Sequence, residues 1–187
     1  TFFDCNNLTK VEIPPNSNLQ TIESFAFRDL KIKAFFVPSK VSKICEYVFY
    51  NCENLTKVEI PPNSNLQTIE SYAFSNTKIK EIFFPASLKE LKEGWCCETD
   101  SLVKITISPS NGQFKFLDDK YSIGKSDLNN DEFDTLLFAR WDIEEISIPS
   151  NIKIISQYAF DKCKNLMKVE ILPDSNLQTI ENWYFLI

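Results

Sequence analysis

The sequence has no histidine and only three glycines, and these scarcities exclude several kinds of chemistry. Without histidine there is no Ser-His-Asp or Cys-His catalytic set, no zinc site with histidine ligands and no histidine-based pH switch. With so few glycines the chain carries neither a P-loop nor a dinucleotide-binding fingerprint. No apolar run approaches the roughly 18–20 residues that a membrane-spanning helix requires.

Length and charge set the next limits. The chain has 187 residues, with 20 basic and 26 acidic side chains and a net charge of −6. This excess of negative charge argues against nucleic acid and anionic membranes as partners, because both require a basic surface. The length is sufficient for one sizeable domain with its own core. Since the chain begins and ends within a repeated unit, we interpret it as an excerpt of a longer array.

Six cysteines are present, but their spacing disfavours a disulfide framework. Cys5, Cys52 and Cys163 hold the same position in different repeats, before the segments NNL, ENL and KNL. If successive turns are about 4.8 Å apart, Cys5 and Cys52 are separated by two turns, beyond the ~7 Å Cα distance that a disulfide tolerates. We therefore predict buried free thiols. The adjacent Cys96 and Cys97 would bind a metal only with ligands from elsewhere, so we expect no metal and no cofactor.

Internal repetition is the strongest signal in the sequence. CNNLTKVEIPPNSNLQTIESFAF at 5–27 recurs almost unchanged at 52–74 and in a more divergent form at 163–185. Shorter relatives lie between these copies. The central apolar residue is found at a spacing of 23 or 24 residues, with one gap of 41, at Val11, Phe35, Val58, Ile82, Ile105, Ile146 and Val169. A unit of about 23 residues is typical of a leucine-rich-repeat solenoid.

Each unit has the pattern of a strand followed by a turn. Val58 and Ile60 alternate with the polar Lys57 and Glu59, which is the period of a half-buried strand, and Pro61 ends it. The following NLQTIESYAF predicts a short extended segment and then one helical or 3-10 turn that returns an Ala-Phe pair to the core. Because one unit cannot bury its own apolar edge, the repeats must be stabilised by stacking.

These patterns predict a leucine-rich-repeat solenoid over residues 1–187. We expect one parallel sheet of about seven or eight short strands on one face and short extended, helical or 3-10 turns on the other. Residues 110–142 break the period and are either a degenerate repeat or a hairpin insert. A buried aromatic column is expected at Phe3, Phe27, Phe49, Phe74, Phe160 and Phe185, with Cys96 in one of its positions.

The repeated residues resemble the BspA-like leucine-rich repeats of bacterial and protozoan surface proteins. The family's strand, second segment and closing turn are matched at Leu55, Val58, Ile60, Pro61, Leu66, Ile69, Ala73 and Phe74, and in another unit at Phe160 and Cys163. The glycine that often precedes the closing Ala-Phe turn is absent, and residues 110–142 resemble a hairpin insert of some members. The resemblance implies a secreted or cell-surface array that attaches to host matrix or other cells, with no catalytic residues.

Candidate binding residues lie on the outward positions of the strands, since repeat proteins bind through this face. Phe36 and Phe83 are aromatic where polar residues prevail, and we interpret them as interface anchors. The alternatives are lateral packing of the rings, or a register slip of one residue that buries them. The charged rim around them would consist of Glu12, Glu59, Lys57, Glu81 and Lys104. Lys57, Glu81 and Lys104 also have the order of a solvated ladder of cross-strand ion pairs.

Two further motifs have a chemical and a structural interpretation. Asn7 and Asn54 lie in Asn-Leu-Thr sequons and would accept glycans in a eukaryotic secretory route, or else hydrogen-bond the turn. Asp127, Asn129 and Asp131 alternate like the start of a calcium loop, but the glycine and the final glutamate of such a loop are missing. We prefer a polar turn for this segment.

Three functional classes remain. The leading hypothesis is a non-enzymatic adhesion or recognition module that binds another protein, such as an extracellular-matrix or cell-surface component. The alternative is an intracellular, cytoplasmic protein-interaction scaffold, with which unpaired cysteines are consistent. A hydrolase would have only carboxylates such as Asp131 and Asp134 to use. Uncapped terminal repeats would also allow weak self-association.

Overall fold

The computed structural model describes residues 2, 5, 7–129 and 131–181 and divides the chain into two compact units, Thr1–Gly112 and Gln113–Ile187. The strands of unit 1 are β1 (Thr21–Ile22), β2 (Ala34–Phe36), β3 (Lys43–Ile44), β4 (Lys57–Glu59), β5 (Thr68–Ile69), β6 (Glu81–Phe84), β7 (Glu90–Leu91) and β8 (Lys104–Ile107). The strands of unit 2 are β9 (Phe114–Leu117), β10 (Tyr121–Gly124), β11 (Thr135–Ala139), β12 (Glu145–Ile148), β13 (Ile154–Ile155), β14 (Lys168–Ile171) and β15 (Thr179–Ile180).

Unit 1 is a solenoid of parallel stacked strands. Its two-residue strands form a four-stranded sheet in the order β1-β3-β5-β7. Its longer strands pair in parallel as β2 with β4 and β6 with β8, and β4 lies beside β6. The expected single sheet is therefore divided into shorter ladders. Each longer strand has only three or four residues, and a proline follows closely after most of them, so a small irregularity interrupts the ladder.

Unit 2 combines parallel rungs with an antiparallel hairpin. Its five-stranded sheet has the order β15-β13-β11-β10-β9, and β12 pairs with β14 in parallel. Strand β10 pairs antiparallel with both β9 and β11, whereas β11 pairs in parallel with β13. Asp118 and Asp119, with left-handed φ values of 52° and 53°, lie in the three-residue turn of this hairpin, and the backbone N–H of Lys120 donates to the carbonyl oxygen of Leu117 at 2.9 Å. The stretch that breaks the repeat period thus contains a hairpin.

The turns that close the repeats differ from the sequence expectation. No helix or 3-10 segment is present in the residues described, so the helical or 3-10 form expected for the closing turns is not confirmed. The chain reverses there through left-handed residues, such as Tyr72 with a φ of 57° and Asn76 with a φ of 52°. A right-handed helical turn cannot include residues in this conformation.

Phenylalanine rings form the centre of unit 1. Phe27, Phe49 and Phe74 are buried, and their ring centroids are 5.4 and 5.3 Å apart along the stack. Phe35 of β2 contacts both Phe27 and Phe49 at 5.0 and 4.9 Å, which ties a longer strand to the turns. This agrees with the expected aromatic column; Phe160 of unit 2 is half-buried, and Phe3 and Phe185 lie outside the described residues.

The cysteines are free thiols. Cys45, Cys52, Cys96 and Cys97 are buried, Cys163 is half-buried and Cys5 is exposed, so burial holds for most positions but not for Cys5. Cys52 donates its thiol to the carbonyl oxygen of Phe27 in the preceding repeat at 3.0 Å. In the same turn position two repeats later, Thr99 donates its hydroxyl to the carbonyl oxygen of Phe74 at 2.8 Å. A small donor therefore connects neighbouring repeats at this point.

The last strands described in unit 2 depart from the expected inward packing. Val58 is buried and Val11 is half-buried, but Val169 and Ile171 of β14 are 44% and 48% exposed. In the part of the chain that the structure describes, β14 pairs with β12 on one side only, so its apolar side chains lack a second neighbouring turn. Within the same residues, no helix has the length and apolarity needed to cross a bilayer.

Candidate functional site

The outward side of the longer strands in unit 1 carries the residues singled out from the sequence. Phe35, Val58 and Ile82 point into the core, with exposed fractions of 2%, 6% and 2%. Phe36 and Phe83, each next to one of these residues, are half-buried and point to the other side. Phe36 lies opposite Glu59 across the β2–β4 ladder, and Phe83 lies opposite Thr106 across the β6–β8 ladder. The slipped register that would have buried both rings is therefore absent.

A depression of about 590 Å³ lies beside Phe36. Its lining includes Ala34 and Phe36 of β2, together with Lys10, Glu12 and Glu59 from the neighbouring rungs. In the row of outward residues, Ala34 stands opposite Lys57, so a methyl group occupies a position that a long lysine occupies in the next rung. The small side chain of Ala34 leaves the depression open, Phe36 forms an apolar wall, and charged groups surround the opening.

The ion pairs of this face run along the strands. Lys10 contacts Glu12 at 2.6 Å, and Lys57 contacts Glu59 two residues further in the same strand. The hydrogen bond to Glu59 and its charge raise the pKa of Lys57. Glu81 and Lys104 face each other across β6 and β8 and are exposed. Lys57 therefore pairs along its own strand with Glu59, and the charge of Glu81 in the next rung also raises the pKa of Lys57 to a smaller extent.

The two sequons are accessible. Asn7 and Asn54 are both exposed and lie in turns. Thr56, the hydroxyl residue of the second sequon, donates to the carbonyl oxygen of Lys33 at 3.3 Å and is itself exposed. The position before a longer strand therefore presents an asparagine to solvent.

The loop between β10 and β11 is a polar turn closed by a buried carboxylate. Asp127 accepts a hydrogen bond from the backbone N–H of Asn129 at 2.8 Å. Asp134 is 2% exposed and accepts bonds from the Ser126 backbone and hydroxyl at 2.8 and 2.7 Å. Burial alone would raise the pKa of Asp134, but the hydrogen bonds from Ser126 and Thr135 outweigh it and lower this pKa. Asp134 is thus engaged in closing the loop, while Asp131 is fully exposed.

A second surface feature was missed in the sequence. Phe25, Tyr47 and Tyr72 stack on one another on the outer side of the turns, with centroid separations of 5.1 and 5.0 Å. The three residues have φ values of 61°, 57° and 57°, and Gly94 occupies the same turn position with a φ of 62°. A left-handed conformation costs an ordinary residue about 1–2 kcal/mol relative to glycine. The signal was present as an aromatic residue two places before each buried phenylalanine.

Comparisons with known proteins agree with the architecture. A model of the BspA-type leucine-rich repeat region matches residues 1–118 and 131–186 in six copies. The fold is similar to that of the pneumococcal vaccine antigen PcpA, with a TM-score of 0.76 and 23% identity over 85% of this chain and 38% of that chain. It is also similar to a leucine-rich cell surface protein of Faecalibacterium prausnitzii, with a TM-score of 0.73 and 21% identity over 91% of this chain and 50% of that chain.

A leucine-rich repeat protein from Eubacterium ventriosum is a further neighbour, with a TM-score of 0.65 and 23% identity over 86% of this chain and 47% of that chain. At these identities the likeness concerns the fold alone. The chain spans half or less of the length of these solved structures. A comparison with curated protein sequences gave no match.

Proposed function

The chain belongs to the BspA-type leucine-rich repeat family, and we propose that it is a non-enzymatic recognition module that binds a protein through the outward face of the β2–β4 and β6–β8 ladders. The observation that carries this proposal is the depression of about 590 Å³ beside the half-buried Phe36. An aromatic ring that borders a pocket and is surrounded by charged groups has the composition of an interface hot spot.

The solenoid supports this role through its rigidity. Phe35 is packed between Phe27 and Phe49, so the backbone of β2 that carries Phe36 is fixed from beneath. A surface that is already ordered loses little conformational entropy when a ligand binds. Phe83 adds a second ring on β6, two rungs from Phe36, so that a ligand lying across the strands would contact both rings.

We place the binding partner outside the cell, as an extracellular-matrix or cell-surface protein. The names of two structural neighbours, a vaccine antigen and a cell surface protein, support this placement by analogy. The exposed Asn7 and Asn54 are compatible with passage through a secretory route.

The test measures the binding of purified extracellular-matrix proteins to the intact protein immobilised on a surface. Phe36→Ala combined with Phe83→Ala should weaken binding by about tenfold or more, since a hot-spot ring contributes more than 1 kcal/mol. The midpoint of thermal unfolding should change little, because both rings are partly in solvent. Leu128→Ala, which truncates an exposed apolar side chain of unit 2, is the matched control and should bind normally. Unchanged affinity of the double variant would refute the proposed site.

An intracellular scaffold is the second candidate, because free thiols such as Cys45 and Cys52 are typical of a reducing compartment. The two locations differ in a measurable way. Surface labelling of intact cells and a glycan at Asn54, lost in Asn54→Gln as a decrease in mass, would support the extracellular placement. Absence of both would support the scaffold.

A further inference from the structure

The three stacked rings of Phe25, Tyr47 and Tyr72, which we name the outer column, form a surface distinct from the face that carries Phe36. The rings are nearly parallel, with interplanar angles of 4° and 14°. Two residues after each of them comes a buried phenylalanine of the core stack, so each turn directs one ring inward and one outward. Phe25 is 38% exposed, and Tyr47 and Tyr72 are half-buried.

The backbone at these positions does not itself favour an aromatic residue. All three adopt the left-handed conformation that glycine adopts most readily, as Gly94 does in the equivalent turn. Stacking between the rings compensates for part of this cost. Backbone strain that the surrounding structure maintains is enriched at ligand-binding sites.

The outer column already accommodates one cation of the chain itself. The guanidinium of Arg28 lies 5.8 Å from the ring centroid of Phe25 and 5.3 Å from that of Tyr50. Tyr50 is in turn 5.5 Å from Tyr47 in an edge-on arrangement. Tyrosine and arginine are the residue types that are enriched in interface hot spots.

Carboxylates lie close to the column residues in the sequence and converge around Cys45. Glu23, Glu46 and Glu70 precede the column residues by one or two positions, and Glu23 and Glu46 are exposed. Burial raises the pKa of Cys45 most, and the negative charges of the three glutamates raise it further. Of the basic groups nearby, Lys43 is paired with Glu70 at 2.7 Å and Arg28 with Asp29 at 3.0 Å. The surroundings of the outer column therefore carry excess negative charge.

We propose that the outer column binds an arginine- or lysine-containing segment of a partner protein. The apolar stems of such side chains would lie along the exposed ring edges, and their charged ends would reach Glu23 and Glu46. The cation–π contact between Arg28 and Phe25 is an example of this interaction within the chain itself. This inference is independent of the proposed function of the Phe36 face, because it uses other residues on another side of the turns.

The experiment measures binding of a fluorescent glycine-serine peptide with four arginines to the full chain, beside a peptide with glutamates in their place. The variant Tyr47→Gly with Tyr72→Gly removes two rings and keeps the left-handed backbone, for which Gly94 is the precedent. We expect it to bind the arginine peptide about tenfold or more weakly. Glu46→Gln should weaken binding by about threefold, and the glutamate peptide should not bind.

Two controls keep the result interpretable. Glu145→Gln makes the same charge change on an exposed strand residue of unit 2, and Phe36→Ala alters the other proposed site; both should bind the arginine peptide normally. If the glycine variant does not fold, as judged by circular dichroism, Tyr47→Asn replaces it, because Asn51 and Asn76 adopt the same backbone conformation. Unchanged binding by the ring variants, or an equal loss in Glu145→Gln, would overturn the inference.

Other occupants of the outer column give distinct outcomes. If dextran bound in place of the peptide and the glycine variant abolished that binding, the surface would recognise carbohydrate. If the wild-type chain dimerised in sedimentation and the glycine variant did not, the column would contact a second copy. Either result, without binding of the arginine peptide, refutes the proposal while leaving the Phe36 site to its own test.

Discussion

The side-chain amide of Asn76 donates to the side-chain oxygen of Asn51 at 2.7 Å, and Asn51 donates in the same way to Asp29 at 2.7 Å. The three residues occupy one position in successive turns, and all have left-handed backbones, with φ values of 52°, 60° and 62°. Asparagine and aspartate tolerate this conformation better than most residues other than glycine. One ladder of side chains thus satisfies both the turn geometry and the register between repeats.

Substituting Asn51 should separate these two contributions. Asn51→Ala loses both hydrogen bonds and retains the strained backbone, so we expect it to lower the free energy of unfolding by about 2–4 kcal/mol. Asn51→Gly loses the bonds but relieves the strain, and should cost about 1–2 kcal/mol. Urea denaturation measures both, with the exposed Asn63→Ala as the control. Equal losses for alanine and glycine would mean that backbone conformation contributes nothing here.

The thiols should react at very different rates. Burial raises the pKa of Cys52 to about 12, and its thiol is hydrogen-bonded, whereas Cys5 is exposed. Because the thiolate is the reactive form, we expect one fast phase from Cys5 when the native protein is treated with a chromogenic disulfide at neutral pH. Cys52 should react only upon unfolding. Cys5→Ser should remove the fast phase, and fast labelling of Cys52 in the native protein would contradict its buried position.

The stability of unit 2 should decrease in acid through Asp134. Its pKa is lower in the folded state than the ordinary value of 3.8, so the folded protein binds fewer protons. The stabilisation is therefore complete above about pH 5 and is lost as the pH falls through the folded-state pKa. Asp134→Asn should flatten the dependence of the unfolding free energy on pH in this window, as measured by urea denaturation at several pH values. The exposed Asp131→Asn should keep the wild-type slope.

The alternation of apolar and polar residues predicted which side chains face the core. Phe35, Val58 and Ile82 are buried, and Phe36 and Phe83 point away from them, because a proline soon after each strand limits how far the register can shift. Repetition itself identified the family, since the same pattern recurs at a nearly constant spacing. These features depend on local sequence and can be predicted from it.

Other features depend on geometry that the pattern does not contain. The pattern predicts extended, helical or 3-10 closing turns, and it does not indicate the left-handed conformation of Tyr72 and Asn76 because most such positions lack glycine. Lys57 forms its ion pair with Glu59 along its own strand, and this depends on the conformation of the long lysine side chain, which the sequence pattern does not specify. The depression beside Ala34 results from the difference in side-chain size between adjacent rungs, which only the register of β2 against β4 reveals.

The hairpin of unit 2 has a kinetic consequence. Leu117 pairs with Tyr121 across a short turn, whereas Ile154 pairs with Thr179, which lies a full repeat later in the sequence. Closing a long loop costs more entropy than closing a short one, and local contacts generally form sooner. We therefore expect β9 and β10 to assemble first and to serve as the template on which β11 and then the parallel rungs of this half are added in sequence.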